Sequence, residues 1–281
     1  MKIGLSTLLF VRSTVEDSIR HIAELGAECI ELIFDVPHFF PGDNSARLDV
    51  IREILSSYDL PVTVHAVFWD LNPASHYQEI CDLALHQTMK SIEACARLGG
   101  SLVTLHPGKA AVSEPGMEWF TQAAERRCLQ YFSACVAFAE DVGVRVAAEN
   151  IGLPFYVCSS LEELGEIADE IDGLGITLDI GHAYRREKSN GVDKPEEKIA
   201  GLVKNLGKRI VHVHLHDNHG ERDEHLVPGD GEINFTPIVS ALQQGGYRGA
   251  VVVELFDSGD PIAIGKRGLE KAREMFGKGV I

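Results

Sequence analysis

The six cysteines of this 281-residue chain, Cys29, Cys81, Cys95, Cys128, Cys135 and Cys158, form no CxxC pair. CxxC redox centres and paired-thiolate zinc sites are therefore without their ligands. Most of the six fall on apolar faces, as Cys95 does in IEACARLGG, and read as buried, reduced thiols. Long apolar runs are missing too. No stretch approaches the roughly 20 residues that a membrane-spanning helix needs, so no membrane association is expected. The N-terminal MKIGLSTLLFVRSTVED has a short apolar patch without a signal-peptide core and cleavage site, and it reads as a first strand. Reduced thiols without a secretory signal point to a cytoplasmic location. Positive charge is scarce: 26 Lys and Arg stand against 42 Asp and Glu, a formal net charge of −16. Such a chain has no broad attraction for nucleic acid or an anionic membrane, although a local basic groove stays compatible with it. Low-complexity and linker-like segments are lacking and no composition shift marks a boundary, so residues 1–281 read as one domain.

What the chain has is a rhythm. Strand-like apolar runs at 2–7, 27–34, 61–68, 101–106, 144–149, 175–179, 209–216 and 249–254 alternate with helix-like stretches. The latter lie near 14–25, 46–58, 77–98, 118–142, from 159 onward, 195–205, 235–244 and 261–276. Leu48, Ile51, Ile54 and Leu55 repeat at helical spacing. Thr14 followed by Asp17, and Ser160 followed by Glu163, suit helix N-termini; Gly26 suits a C-cap. Runs rich in Val, Ile and Leu with little alternation indicate strands covered on both faces. The succession of βα units predicts an α/β fold, a closed (β/α)8 TIM barrel.

From the third run onward, each strand ends in a metal-ligand residue type: His65, His106, Glu149, Asp179, His214 and Glu254. In a parallel barrel those ends share one rim, where such barrels carry their chemistry. A carboxylate closing an apolar run, as Glu149, Asp179 and Glu254 do, is costly to bury unless paired or metal-bound. In DIGHA, His182 follows Asp179 past the strand end, so both can turn toward one centre. In VHVHLHD, His212, His214 and His216 share a face by period two. His214 lies nearest the opening, His212 reads as interior, and His216 or Asp217 as support for ligands. The loop DEHLVPGDGEINF adds Asp223 and His225 on a turn closed by Gly229 and Gly231. Mixed N and O donors without thiolate suit Zn, Mn, Co or Fe(II) rather than an all-oxygen calcium site. They exceed the needs of one ion, so either several ions bind or some donors orient others or act in catalysis. Lys109, in HPGK, brings a cation near the mouth that could meet a phosphate; a plain surface lysine is the alternative. Trp69 and Phe68 could shape an apolar wall, with ordinary packing as the alternative.

The motifs LVTLHPG, AAENIG, LDIGHA, VHLHDN and DEHLVPGDGEI resemble the xylose-isomerase-like barrels. That superfamily includes sugar phosphate isomerases and epimerases and endonuclease IV, and the resemblance covers nearly the whole chain. In the endonuclease IV branch it implies three zinc ions on nine ligands, falling here on His65, His106, Glu149, Asp179, His182, His214, Asp223, His225 and Glu254. In the isomerase and epimerase branch it implies one Mn, Mg, Co or Zn ion on Glu149, Asp179, His214 and Glu254. The endonuclease carries a loop after its second strand rich in Arg, Gln and Asn; this chain has FDVPHFFPGDNSAR there, with one arginine, Arg47. After His65, AVFWDLNP partly resembles the endonuclease segment.

The resulting expectation is a divalent-metal-dependent isomerase or epimerase of a small sugar or sugar phosphate. It would work by proton transfer through a metal-stabilised enediolate, with Glu149 and Glu254 as the acid–base pair and His182 assisting. Lys109 and Trp69 would meet the substrate. One divalent ion (Zn, Mn, Co or Mg) is expected and up to three can be accommodated. The alternatives are an endonuclease IV-like zinc-dependent phosphodiester hydrolase and a metal-binding barrel without turnover. A nucleic acid partner is disfavoured but stays open, as does assembly into a homo-oligomer.

Overall fold

Parallel pairing runs through all eight strands and closes on itself. The computed structural model describes residues 1–40, 45–110 and 116–277. Its strands are β1 (Lys2–Ser6), β2 (Cys29–Ile33), β3 (Val62–His65), β4 (Leu102–Leu105), β5 (Arg145–Glu149), β6 (Gly175–Asp179), β7 (Ile210–Leu215) and β8 (Ala250–Val253). Each pairs in parallel with the next, and β8 returns to β1 with Val252 opposite Gly4. The helices are α1 (Val15–Glu24), α2 (Ser45–Ser57), α3 (Gln78–Arg97), α4 (Glu118–Asp141), α5 (Leu161–Glu170), α6 (Ile180–Ser189), α7 (Pro195–Leu206), α8 (Thr236–Gln244) and α9 (Pro261–Phe276). The predicted TIM barrel is thus the observed fold. The reading of the FDVPHFFPGDNSAR loop falls partly on residues 41–44, which lie outside the described residues. No helix among the described residues is long and apolar enough to cross a membrane.

Local chemistry sets the helix starts. The Thr14 hydroxyl accepts the Asp17 N–H at 3.1 Å. At α5 the Ser160 hydroxyl accepts the Glu163 N–H at 3.1 Å while the Glu163 carboxylate accepts the Ser160 N–H at 2.8 Å. This reciprocal pairing satisfies two of the donors that a helix N-terminus leaves open. α6 fills a span that the sequence rhythm leaves without a helix. Its sequence, IGHAYRREKS, is mostly polar, and its buried apolar face is limited to Ile180, Ala183 and Tyr184. Its start signal is Asp179, whose carboxylate accepts the His182 N–H at 2.6 Å. A strand-ending aspartate in sequence signals a ligand, and that signal masks the capping role of Asp179.

The strands present different chemistry to their two faces. Outward residues such as Ile30, Leu32, Val64, Val103, Ile176 and Val213 are fully buried against the helices, meeting Ile19, Ile92, Phe132, Leu164 and Ile199 in one core. Each such aliphatic side chain contributes about 1.5–3 kcal/mol by leaving water. The inner face is polar: Glu31, Thr63, Thr104, Thr177 and His212 all lie at or below 8% exposure. The Thr104 and Thr177 hydroxyls meet across the barrel at 3.1 Å. Both faces are covered, as expected, but the inner layer is not the Val, Ile and Leu filling usual in these barrels. The polar layer forms a floor beneath the rim. The cysteines are unpaired; all are buried except the half-buried Cys81.

The loop after β7 is held by one carboxylate. Asp217, fully buried, accepts the N–H groups of Asn218 at 2.9 Å, Gly229 at 2.8 Å and Ile233 at 3.1 Å. Its own backbone pairs with Leu226 in both directions, at 2.8 and 2.9 Å. The loop is thereby folded back so that Asp223 and His225 return to the rim. His225 takes the left-handed φ of +47° to do so. Replacing Asp217 with Ala strands two buried donors, the Asn218 and Ile233 N–H groups, each costing about 1–3 kcal/mol, and frees the exposed Gly229 N–H to water. The expected loss is at least about 2 kcal/mol, read as a lower urea midpoint with an unchanged m-value.

Candidate metal centre

Glu149 is the hub of the rim. Its Oε2 lies 3.1 Å from His106 Nε2 and 3.2 Å from His65 Nε2, and those two nitrogens are 3.1 Å apart. Its Oε1 lies 3.1 Å from His214 Nδ1, which Glu254 Oε2 and Asp179 Oδ2 also approach, at 3.6 and 3.8 Å. Asp223 joins His182 and His225: Oδ2 is 3.2 Å from one Nε2 and Oδ1 is 3.2 Å from the other. All nine residues, from the strand ends, α6 and the β7 loop, thus gather into three groups. The first is His65, His106 and Glu149; the second is Glu149, Asp179, His214 and Glu254; the third holds His182, Asp223 and His225. Within each group the donor atoms lie within 4.8 Å of one another. The two oxygens of Glu149 serve two groups.

The histidines are oriented for donation. A carbonyl oxygen only accepts, so a ring nitrogen bonded to one must carry the hydrogen. His65 Nδ1 donates to the Ala66 carbonyl at 2.9 Å, His182 Nδ1 to Asn150 at 3.1 Å and His225 Nδ1 to Glu254 at 3.0 Å. Each ring then turns its Nε2 toward the carboxylates, where it carries a proton in the metal-free protein and would offer its lone pair to a bound ion, the arrangement that metal-binding histidines adopt. Asp179 Oδ2 is buried with no hydrogen-bond partner among the described residues, as a group awaiting a cation would be. The donor set of imidazoles and carboxylates fits a borderline divalent ion. His216 lies close enough to count with the third group, but its ring stacks on His225 at 3.8 Å and 9°. One ion cannot lie in the planes of two parallel stacked rings, so His216 serves as a plate under His225. Gly181 makes room for it: a Cβ there would come within 2.1 Å of the His216 ring.

Charge compensation dominates the electrostatics. Burial works against an ionised Glu149, but the positive charge of His214, with the field and hydrogen bond of His106, outweighs it and holds the carboxyl well below its usual range. Asp179 is lowered against burial by His182 and His216, and Asp223 by His182 and His225. Burial opposes a charged His65, yet the hydrogen bond and charge of Glu149 push it up to about 9. His182 rises well above its usual value against burial, through Asp179 and Asp223; His214 does the same through Glu31, Glu254 and Glu149. For His106 burial wins, pushing it down to about 4.

Around this centre, Phe68 rather than Trp69 touches the histidines, with ring centroids 4.9 Å from His65 and 4.7 Å from His106. Trp69 packs against Phe68 at a tilt, ring centroids 4.6 Å apart, and is half exposed, beside a groove shared with Phe39 and Phe40. Lys109 stands next to His106 at the mouth, its Nζ 5.1 Å from the Tyr156 ring centroid. Two contributors escaped the sequence reading. The Asn150 side chain bonds both backbone groups of Asp179, at 2.8 Å each, locking β5 to β6 at the rim. Glu31 is fully buried inside the barrel, 2.9 Å from His212 Nε2 and 3.0 Å from His214 Nε2. Its signal was in plain view. A carboxylate inside the apolar run CIELIF carries the same burial cost that marked Glu149.

The family described as the xylose isomerase-like TIM barrel matches residues 19–276. An uncharacterized protein of Methanocaldococcus jannaschii is 33% identical over 257 residues, 90% of this chain and 83% of the relative. The fructoselysine 3-epimerase of Shigella flexneri is 22% identical over 286 residues, 98% of each chain. Among solved structures, a D-tagatose 3-epimerase-like protein superposes with a TM-score of 0.83 at 30% identity, over the whole of both chains.

The raised histidines make a pH prediction for the metal-free protein. Each contributes stability that is complete below its unfolded value of about 6.5 and is lost as pH rises through its folded value. For His65 that window ends near 9. The melting temperature of the metal-free protein is expected to fall as pH rises from about 6.5 to about 9, because protons that hold the carboxylates together leave. Divalent metal competes with those protons, so the stabilisation it confers is expected to grow over the same interval. Thermal scans with and without chelator check this; a flat metal-free profile contradicts it.

Proposed function

The chain belongs to the xylose isomerase-like TIM barrel family, and we propose that it is a divalent-metal-dependent isomerase or epimerase of a small sugar or sugar phosphate. The observation that carries this reading is the group of Glu149, Asp179, His214 and Glu254, three carboxylates and one imidazole converging at the barrel rim. The similarity to a fructoselysine 3-epimerase and to a D-tagatose 3-epimerase-like protein supports it. These four residues would hold the ion. When bound, a divalent ion there supplies Lewis acidity toward a carbonyl and hydroxyl of the sugar.

Proton transfer falls to the chain's own carboxylates. Glu254 and Glu149 would remove and return the proton at the carbon next to the carbonyl. Glu254 has the more available carboxylate, since its nearest imidazole nitrogens are 3.6 and 3.7 Å away. Both oxygens of Glu149 are closely engaged by imidazoles. His182, held by the Asn150 carbonyl, would assist the transfer from the other side of Asp179. Phe68 keeps water from the His65–His106 side, and Trp69 would flank the substrate. Lys109 has no carboxylate within 4.0 Å among the described residues, so its ammonium is free to meet a substrate phosphate.

A second reading, a three-metal phosphodiester hydrolase, is favoured by one observation: two further donor groups adjoin the first through Glu149 and His182. Duplex DNA suits it poorly. The net charge is −16, and Arg47, in the first turn of α2, is 3.2 Å from Glu16. Incubation in D2O with Mn2+ or Co2+ and a panel of ketoses and ketose phosphates tests the proposal. Solvent deuterium is expected at the carbon next to the carbonyl. Glu254→Gln at saturating metal is expected to slow that exchange by roughly 10²–10⁴-fold. No exchange on any substrate, together with cleavage of a duplex carrying an abasic site, would move the assignment to the hydrolase.

A further inference from the structure

His214 sits the other way round from its neighbours. His65, His182 and His225 each anchor Nδ1 on a main-chain carbonyl and aim Nε2 at the carboxylates. His214 instead turns Nδ1 toward Glu149, Asp179 and Glu254, and its Nε2 points down into the barrel. No carbonyl is bonded there. The atom nearest Nε2 is Glu31 Oε1, 3.0 Å away as an ion pair off the hydrogen-bond direction, and neither atom has a hydrogen-bond partner among the described residues, so a small turn of the ring would satisfy both.

We propose that Glu31 is the positioning residue of the metal centre, accepting the His214 Nε2–H so that the Nδ1 lone pair is held toward the ion. The inference rests on the metal reading above. It gives a reason for a carboxylate buried on the inner face of β2 with 0% exposure, where an apolar residue would fill the barrel at no electrostatic cost. Glu31 is itself fixed from the other side. Its Oε2 takes the His212 Nε2–H at 2.9 Å and the Thr63 hydroxyl at 3.3 Å. Thr63 is the β3 partner of Glu31 in the sheet, and His212 lies two residues before His214 on β7. The carboxylate therefore ties β2 and β3 to β7 across the barrel, one layer beneath the rim. A neutral imidazole carries one ring hydrogen. With that hydrogen held on Nε2, Nδ1 must be a lone pair; without the acceptor, the Nδ1–H form competes and cannot ligate. A glutamine at 31 keeps the shape but must turn its NH2 toward either His212 or His214, setting donor against donor.

Cobalt titration of the full-length protein tests this, with Co2+ affinity and its visible absorption bands as readouts. Glu31→Gln is expected to weaken Co2+ binding by about ten- to a hundredfold and to alter the bands. A purely structural role would lower the melting temperature of the metal-free variant and leave Co2+ affinity within about twofold of wild type; that result overturns the proposal. Should the variant fail to fold, ¹⁵N-histidine spectra of the zinc-loaded wild type decide. Metal on His214 Nδ1 with a slowly exchanging Nε2–H is expected, and the reverse tautomer overturns the proposal. A wild type that takes up no Co2+ would defeat the metal reading itself, whereas wild-type uptake with an unchanged Glu31→Gln affinity defeats the role of Glu31 alone.

Discussion

Carboxylates cannot crowd together in a buried rim unless positive charge sits among them. Glu149 and Asp179 have no solvent exposure and Glu254 has 4%, and their donor atoms lie within 4.8 Å of one another around His214. At such separations like charges repel by roughly 3–4 kcal/mol at an effective dielectric of about 20. Imidazolium protons or divalent cations are the two remedies the sequence allows, and both use the same nitrogen lone pairs. Much else in the molecule follows from that competition. The polar floor of Glu31, His212, Thr63, Thr104 and Thr177 supplies acceptors and donors below the rim, where purely apolar filling would leave His214 unanchored. Main-chain carbonyls at Ala66, Asn150 and Glu254 fix the rings above it. The Asp217 turn brings the last two donors home.

The eightfold barrel was legible because two signals agreed. Apolar runs alternated with helical stretches, and ligand types fell in register at the ends of the runs. A parallel barrel converts that register into proximity, so residues as far apart as His65 and Glu254 share one rim. What stayed hidden has local causes. α6 has an apolar face of only Ile180, Ala183 and Tyr184 before its charged residues begin, too short to stand out in sequence; its one start signal was the side chain already claimed as a ligand. Glu31 was passed over because it stands two residues before the end of its strand, so a reading of strand ends misses it. Period two along the strand would have found it, since Glu31 and Ile33 share the inner face. Asn150 was invisible for a different reason: its role is to bond the backbone of Asp179, and backbone partners leave no pattern in sequence.

The two functional readings differ in how many ions the rim takes, and the geometry makes that a question of Glu149. One oxygen faces His214 and the other faces His65 and His106. A centre with one ion would leave the His65–His106 pair sharing a proton, consistent with one ring being raised and the other lowered. A centre with three would use every donor that the β7 loop and α6 bring in. The acidic surface and the tie between Arg47 and Glu16 favour a small substrate over a polyanion.

The central claim is that Glu149, Asp179, His214 and Glu254 hold a divalent cation. Anomalous diffraction from crystals soaked in Mn2+, recorded with X-rays at which manganese scatters strongly, tests it most directly. The account predicts a peak bounded by those four residues, with ligand distances of about 2.0–2.3 Å. Crystals that diffract well yet show no anomalous density at that rim, or show it only elsewhere on the molecule, would contradict it.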